Sequence, residues 1–332
     1  MACGYVGSNY NRFYVGLEPS YGTAGDVSGF RRIPAVSLRA RRASEKLSRR
    51  DKTGTRTFMG LPSGVRATTS YELNTYLTGW TDQSKAPVYG ALFEAGLNGS
   101  TRKFGGGQIA SVDGLRVTAA AAHGLVPGQA VACDGEIRFV ANVQDDRTVL
   151  LNAPFSAGVR AGSVLTPTYS YWPGSGCMKS VAILDCWSPD TSIQRLVSGG
   201  AVNRIQIDVN GDFHELRFSG PAAELYDSST FETGQAGLTQ FPGEPAEAGF
   251  DYTIVPGHLG QAWIGSSVNR VFTLASARVT VDNNVDLRVR EFGAATAKAI
   301  AAGERDVREL RGRGQEVPDQ PGDESHEEQD AD

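Results

Sequence analysis

The chain has 332 residues, 40% of them hydrophobic and 21% charged, with 40 Gly and 15 Pro; this suits one large domain or two to three ordinary ones, and it carries too many turn residues for long helices. No apolar run reaches the ~20 residues of a membrane span, no Gly-X-Y period exists, and Met1–Arg12 lacks the blocks of a signal peptide, so the sequence reads as a soluble protein made in the cytoplasm. The net charge of −5 is unevenly placed: eight carboxylates and no Lys or Arg lie in Gln315–Asp332, which leaves +3 on the rest, while Arg31–Arg56 holds ten basic residues against Glu45 and Asp51.

In chain order, residues 1–30, rich in Gly, Ser and Tyr, read as an extended N-terminal arm with room for one short strand. Ile33–Lys46 alternates as a strand, Arg49–Thr55 is a charged turn, and Arg56–Leu61 and Val65–Thr75 resume β-branched and aromatic strand character, which predicts a long basic hairpin. Asp82–Leu97 has helical spacing, with Pro87 near its first turn and Asn98-Gly99 as its stop. Residues 101–172 change texture to short strands at Gln108–Thr118, Ala130–Cys133, Ile137–Val143 and Thr148–Leu151, with Asp134-Gly135 as a hairpin turn; they read as a small inserted β-barrel. Strands resume at Ser180–Trp187, Arg195–Val197, Val202–Val209 and Glu215–Ser219, the last two joined at Asn210-Gly211. Gln261–Ile264, Val271–Val281 and Val285–Glu291 follow, the last pair joined across Asp282-Asn283-Asn284. Ala294–Ala302 is predicted as a short helix, Arg305–Leu310 as strand or helix, and Gln315–Asp332 as disordered.

No catalytic pattern emerges. P-loop, G-x-S-x-G and H-E-x-x-H motifs are missing, and Gly105-Gly106-Gly107 opens no helix. Cys3, Cys133, Cys177 and Cys186 form no C-x-x-C pair and read as reduced thiols. Asp208-Val-Asn-Gly-Asp212 resembles the start of a calcium loop, but its Gly is misplaced and position twelve is not Glu, so it reads as a hairpin. Asn98-Gly-Ser100 fits a glycosylation acceptor that a cytosolic chain would not use. Asp185, Cys186 and His214 could meet across a sheet, though a structural His is the better reading. The expectation is a non-enzyme without cofactor or metal.

The basic hairpin could contact nucleic-acid phosphates, but no aromatic residue lies between Arg31 and Thr57 to stack bases. A subunit-facing hairpin fits better, with Arg39, Arg41, Arg42, Arg49 and Arg50 as the contact residues. Trp172, Trp187 and Trp263 could instead form stacking platforms of a carbohydrate-binding protein, although buried aromatics are commoner.

The segments Arg31–Glu45 and Arg49–Thr57, with Tyr14–Ala24, resemble the signature hairpin and opening strand of tailed-bacteriophage tail tube proteins. Gly200–Asp212, Ala277–Arg288, Phe292-Gly293 and Gly303–Val307 are similar to later strands of that family. The resemblance covers residues 14–98 and 177–310. It implies a mainly β fold, a β-sandwich or half-barrel with one flanking helix, a long hairpin and an inserted small β-barrel. The matching domain plan is an arm at 1–30, a tail-tube domain at 31–100 and 173–310, a barrel at 101–172 on the tube exterior, and an acidic tail at 311–332. It further implies a virion protein whose hexameric rings stack into the tube that DNA traverses. Its partners would be copies of itself, the tape measure, the terminator and the baseplate, with DNA only in transit and no membrane. A different tail ring component, terminator or baseplate, is the nearest alternative.

Overall fold

The computed structural model describes residues 8–45, 66–80, 82–187, 194–246, 253–264, 269–271, 274–289 and 291–311, with the single positions Lys52, Gly54 and Arg56. Strands β1 (Arg12–Leu17), β2 (Arg31–Ile33), β3 (Ala35–Glu45) and β4 (Arg66–Tyr76) precede helix α1 (Gly90–Leu97) and β5 (Asn98–Phe104). Six strands follow as a unit: β6 (Gly107–Asp113), β7 (Arg116–Ala119), β8 (Ala130–Cys133), β9 (Glu136–Val143), β10 (Thr148–Leu151) and β11 (Val164–Thr166). The chain returns through β12 (Thr168–Pro173) to β13 (Val181–Cys186), β14 (Gln194–Gly200), β15 (Arg204–Asn210), β16 (Glu215–Ala222) and β17 (Glu224–Asp227). It closes with β18 (Ala262–Ile264), β19 (Asn269–Val271), β20 (Ser276–Asp282), β21 (Asp286–Leu287), β22 (Ile300–Ala301) and β23 (Asp306–Arg311).

The fold is mainly β, built on two sheets and a closed barrel. One sheet has the order β17-β14-β13-β1-β2 and the other β23-β20-β15-β16-β4-β3. The continuous run Val181–Cys186 is buried at every position, as a strand covered on both faces must be. Val181 and Ile183 point to the core between the sheets, with Leu73, Leu92, Ile205 and Phe218. Ala182, Leu184 and Cys186 point to a second core, covered by Val27, Phe30 and Ala236. Each fully buried Leu, Ile or Phe contributes about 1.5–3 kcal/mol.

The barrel closes in the order β10-β7-β6-β11-β8-β9 around Ile109, Val131, Cys133, Val140 and Leu165. Asp134 and Gly135 both have positive φ (49° and 80°), the geometry of a two-residue type I′ hairpin between β8 and β9. The barrel hangs on an antiparallel stem, β5 with β12, whose last pair before it is Phe104↔Thr168. Ring contacts run down this stem into the main core: Trp80–Tyr169 at 5.2 Å, Phe93–Tyr171 at 5.8 Å and Phe93–Phe218 at 5.3 Å.

Several sequence expectations are corrected. The helix expected over 82–97 begins only at Gly90: the Asp82 carboxylate accepts from the Ser84 N–H and hydroxyl, fixing a turn, and the residue before Pro87 is biased away from helix. Ala294–Ala302 is not helical. Its backbone is drawn into cross-chain bonds instead, Ala67 N–H donating to the Ala295 carbonyl and β22 pairing with β21; tertiary pairing overrides the helix preference of Ala. Gln108–Thr118 is two strands, turned at Gly114 (φ 59°). Asp282-Asn283-Asn284 is no hairpin, because Asn283 turns inward and donates to the Gly96 and Val202 carbonyls. Asn210-Gly211 does join a hairpin, but through a longer loop in which Asn210 accepts from the Asp212 and Phe213 N–H groups. The N-terminal arm contains β1, an inner strand between β13 and β2. Arg305–Leu310 resolves as strand β23, and Gln315–Asp332 lies outside the described residues.

Candidate assembly surface

The basic hairpin exists as the β3–β4 ladder, paired from Ala35↔Thr75 to Glu45↔Arg66. Strand alternation divides its arginines. Arg39 and Arg41 stand opposite Glu72 and Ser70, on the side of β4 facing away from the core. Arg42 stands opposite buried Thr69, on the core side, and reaches across to the other sheet: its Nε lies 2.8 Å from the Glu224 carboxylate on β17. Arg42 is therefore a strut between the sheets, and the expected single basic patch is split. Arg49 and Arg50 lie outside the described residues.

The outward face that carries Arg39 and Arg41 continues across all six strands. The register sets Asp306, Asp282, Arg204, Ser219, Glu72 and Arg39 in one row, and Arg308, Thr280, Gln206, Arg217, Asn74 and Ser37 in the next. Seven arginines (Arg39, Arg41, Arg66, Arg204, Arg217, Arg278, Arg308) and six acidic residues (Glu45, Glu72, Asp208, Glu215, Asp282, Asp306) occupy outward register positions of this face. Arg204 donates to Asp282 at 2.7 Å, Arg308 pairs with Asp306 at 2.5 Å, Arg278 pairs with Asp208, and Arg217 donates to the Asn74 carbonyl oxygen at 2.7 Å. The Asp282 contact raises the pKa of Arg204. Arg39 and Arg41, like Arg66 at the far end of the β3–β4 ladder, have no side-chain partner among the described residues. Both are exposed, as is most of the outer surface of β3.

At the two margins of this sheet, β3 and β23 have no strand paired on their outer sides among the described residues. Open edges of eleven and six residues leave backbone donors and acceptors free to template another strand.

A cavity of about 270 Å³ opens between the two sheets, lined by Arg12, Phe13, Arg32, Ile33, Tyr76 and Thr78. Arg12, one of its two arginines, is already committed. Arg12 pairs with Glu244, which also accepts from the Tyr14 hydroxyl at 2.8 Å. The hydrogen bond from Arg12 holds the Glu244 carboxyl below its ordinary range, and burial pushes the Tyr14 phenol up.

The other chemistry-bearing residues are dispersed. Asp185 is bound by Arg195 at 2.7 Å and by the Trp187 indole N–H at 2.8 Å, whereas His214 lies on the β15–β16 loop of the other sheet. Burial lowers the pKa of His214 and raises those of Cys133 and Cys186. No group of three or more His, Cys, Asp or Glu that could hold a metal occurs among the described residues. The three tryptophans are half-buried and engaged. Trp187 lies under the Arg195 guanidinium at 4.9 Å, Trp263 under that of Arg138 at 5.4 Å, and Trp172 closes on Gly128, where a Cβ would come within 3.0 Å of the indole nitrogen.

Two buried polar centres escape sequence reading. Glu18 accepts four hydrogen bonds, from the Ser180 and Ser198 hydroxyls and the Gly22 and Gly199 N–H groups. Arg138, 4% exposed, lies between Phe155 and Trp263 and donates to Glu136 (2.6 Å), Gln261 (2.7 Å) and the Pro154 carbonyl (2.8 Å). Arg138 takes a buried position of β9 with Val140, while its apolar neighbours Ile137 and Phe139 are exposed, the reverse of what residue type alone predicts.

Among the described residues no helix is long and apolar enough to cross a membrane. No protein-family model matches the chain, and no curated protein matches it.

Proposed function

We propose that the chain is a structural virion subunit that joins copies of itself into rings and stacks the rings into a phage tail tube for the passage of DNA. The observation that carries this reading is the six-stranded sheet, with its largely polar outward face and two open edges. Because neighbours alternate in direction, β3 and β23 run antiparallel to each other. A β23 laid beside the β3 of the next copy continues the same antiparallel ladder. Such a head-to-tail contact closes into a ring when its rotation divides the circle, and closure removes the edges.

The polar face would then line the lumen. Its arginines are nearly matched by carboxylates, so it presents DNA with hydrated, charge-balanced surface rather than a phosphate-binding track. The barrel, carried on the β5–β12 stem, would decorate the exterior. The tape measure, terminator and baseplate would be the other partners, and the role calls for no catalysis and no cofactor. Hexameric rings and the tail-tube fold are what the sequence resemblance adds.

Negative-stain microscopy of the purified chain tests the reading. Tubes of stacked rings are expected. Single rings that never stack would redirect it to a terminator or baseplate ring, and a monodisperse monomer at high concentration would sink it.

A further inference from the structure

The six-stranded sheet has two unlike ends. Leu310 of β23 is level with Arg278, Asp208, Glu215 and Tyr76, near the start of β3, whereas Asp306 is level with Arg39. Beyond Arg39 the β3–β4 ladder runs on for six residues to Glu45↔Arg66, about 20 Å of extra reach. The β3–β4 arm therefore projects from one end of the sheet. The chain leaves β23 for residues 312–332 at the opposite end.

Charge divides the same way. At the arm end, Arg39 and Arg41 are exposed and have no side-chain partner among the described residues, whereas Arg204, Arg217, Arg278 and Arg308, farther from the arm, each have one. After Arg313 the sequence carries eight carboxylates and no cation. To reach its own Arg39 and Arg41, the acidic segment would have to cross the sheet from one margin to the other, five strand spacings or about 24 Å, and climb back along the strands. In a ring closed through β23 and the β3 of the next copy the two margins adjoin, so a ring stacked end-on in the same orientation brings an arm with those arginines up to the margin where the segment leaves.

We propose that Arg39 and Arg41 are the docking site for the acidic segment 316–332 of a second copy of this chain, stacked end-on. The inference rests on the stacked-ring reading and adds what the arm binds. Each exposed ion pair contributes little alone, so the contact works through number, is weakened by salt, and selects orientation because only unlike ends attract.

The test uses full-length chains with charge reversed on one side at a time: Arg39→Glu with Arg41→Glu, and separately Asp319→Lys, Asp323→Lys, Glu324→Lys, Glu327→Lys, Glu328→Lys and Asp330→Lys, which turns the acidic segment net positive. Sedimentation velocity and negative stain, at low and high salt, read rings and stacks separately. Each variant alone is expected to form rings whose stacking is weakened about tenfold or more. Pre-formed rings of the two variants, mixed, are expected to restore stacks, because every arm then meets a tail of opposite charge. Unchanged stacking of the arginine variant overturns the proposal. So does a loss that mixing fails to restore, which would place the contact within one copy. Stacking intact while the arginine variant loses binding to a DNA duplex reassigns the arginines and also overturns it. If the wild-type chain forms no rings, the tube reading itself falls, a result distinct from rings that stack without these charges.

Discussion

Glu18 has only 9% of its surface exposed and no cation among its partners, yet it sits where the chain leaves β1. Four donors make that placement tolerable: Ser180 Oγ at 2.6 Å, Gly199 N at 2.8 Å, Ser198 Oγ at 2.9 Å and Gly22 N at 3.0 Å. Burial pushes its pKa up while the four donors pull it down. One side chain thereby ties the loop after β1 to the start of β13 and the middle of β14. Replacing one carboxylate oxygen by an amide sets donor against donor in a site closed to water. Glu18→Gln is therefore expected to cost about 2–3 kcal/mol. Urea unfolding should show this as a lower midpoint at unchanged slope, and an unshifted midpoint would mean that water already serves these groups. Nothing in the sequence marks the residue, a Glu beside Pro19 in a Gly- and Tyr-rich stretch, because its hydroxyl partners lie 162 and 180 positions away. The same reason hid the roles of Arg39, Arg41 and Arg42. Their clustering was visible in the sequence, but the face each one takes follows only from its register against β4.

Elements were legible where the local signal was self-sufficient. Ala130–Cys133 and Thr148–Leu151 have the bounds their alternation predicts, and Asp134-Gly135 turns as that dipeptide should. Helical periodicity misled twice, over 82–89 and 294–302, where an Asx turn with Pro87 and a set of long-range backbone bonds decide instead. Helix α1 also depends on distant residues at its C-terminus, where the Gly96 carbonyl accepts from Asn283 and the Leu97 carbonyl from Arg305. The β18–β19 hairpin is another element held from outside. It is short, and Arg138 of the barrel grips it through Gln261 and the Trp263 ring. Arg138→Ala removes the stacked guanidinium and leaves Trp263 and Gln261 facing a gap. Amide hydrogen exchange should then quicken at least tenfold at Ala262, Trp263 and Val271, while Cys133 and Leu165 in the barrel ladder keep their protection. Equal loss of protection in both regions would show Arg138 to be a barrel residue first and a tether second.

At the scale of the whole molecule, the sequence showed that a β-barrel interrupts a larger β domain, since residues 101–172 differ in texture from what flanks them. It did not show which sheet edges stay open, because the order of the six-stranded sheet joins β3 to β4 and β15 to β16 locally but β4 to β16 and β15 to β20 across long stretches. The stem makes the division physical. Phe104 and Thr168 are paired neighbours at its outer end, so the chain enters and leaves the barrel at one point, as an inserted domain should. Joining Phe104 to Thr168 through Asn-Gly would convert the stem into an ordinary hairpin. The cores that hold α1, β13 and β16 contain no barrel residue, so this excised chain is expected to fold and to unfold at a temperature within a few degrees of the main transition of the full protein. Contacts to the barrel would still be lost: the Ala130 N–H bond to Ser170 Oγ, the Thr168 hydroxyl bond to the Ala130 carbonyl, the approach of Trp172 to Gly128, and the Arg138 grip on Gln261 and Trp263. The excised protein should therefore lose order around the β18–β19 hairpin and keep the six-stranded sheet. Calorimetry reads the first expectation and negative stain the second: if the tube wall is that sheet, thinner tubes of unchanged ring spacing form without the barrel. An excised chain that folds but cannot associate would place the subunit contacts on the barrel instead of on the edges of β3 and β23.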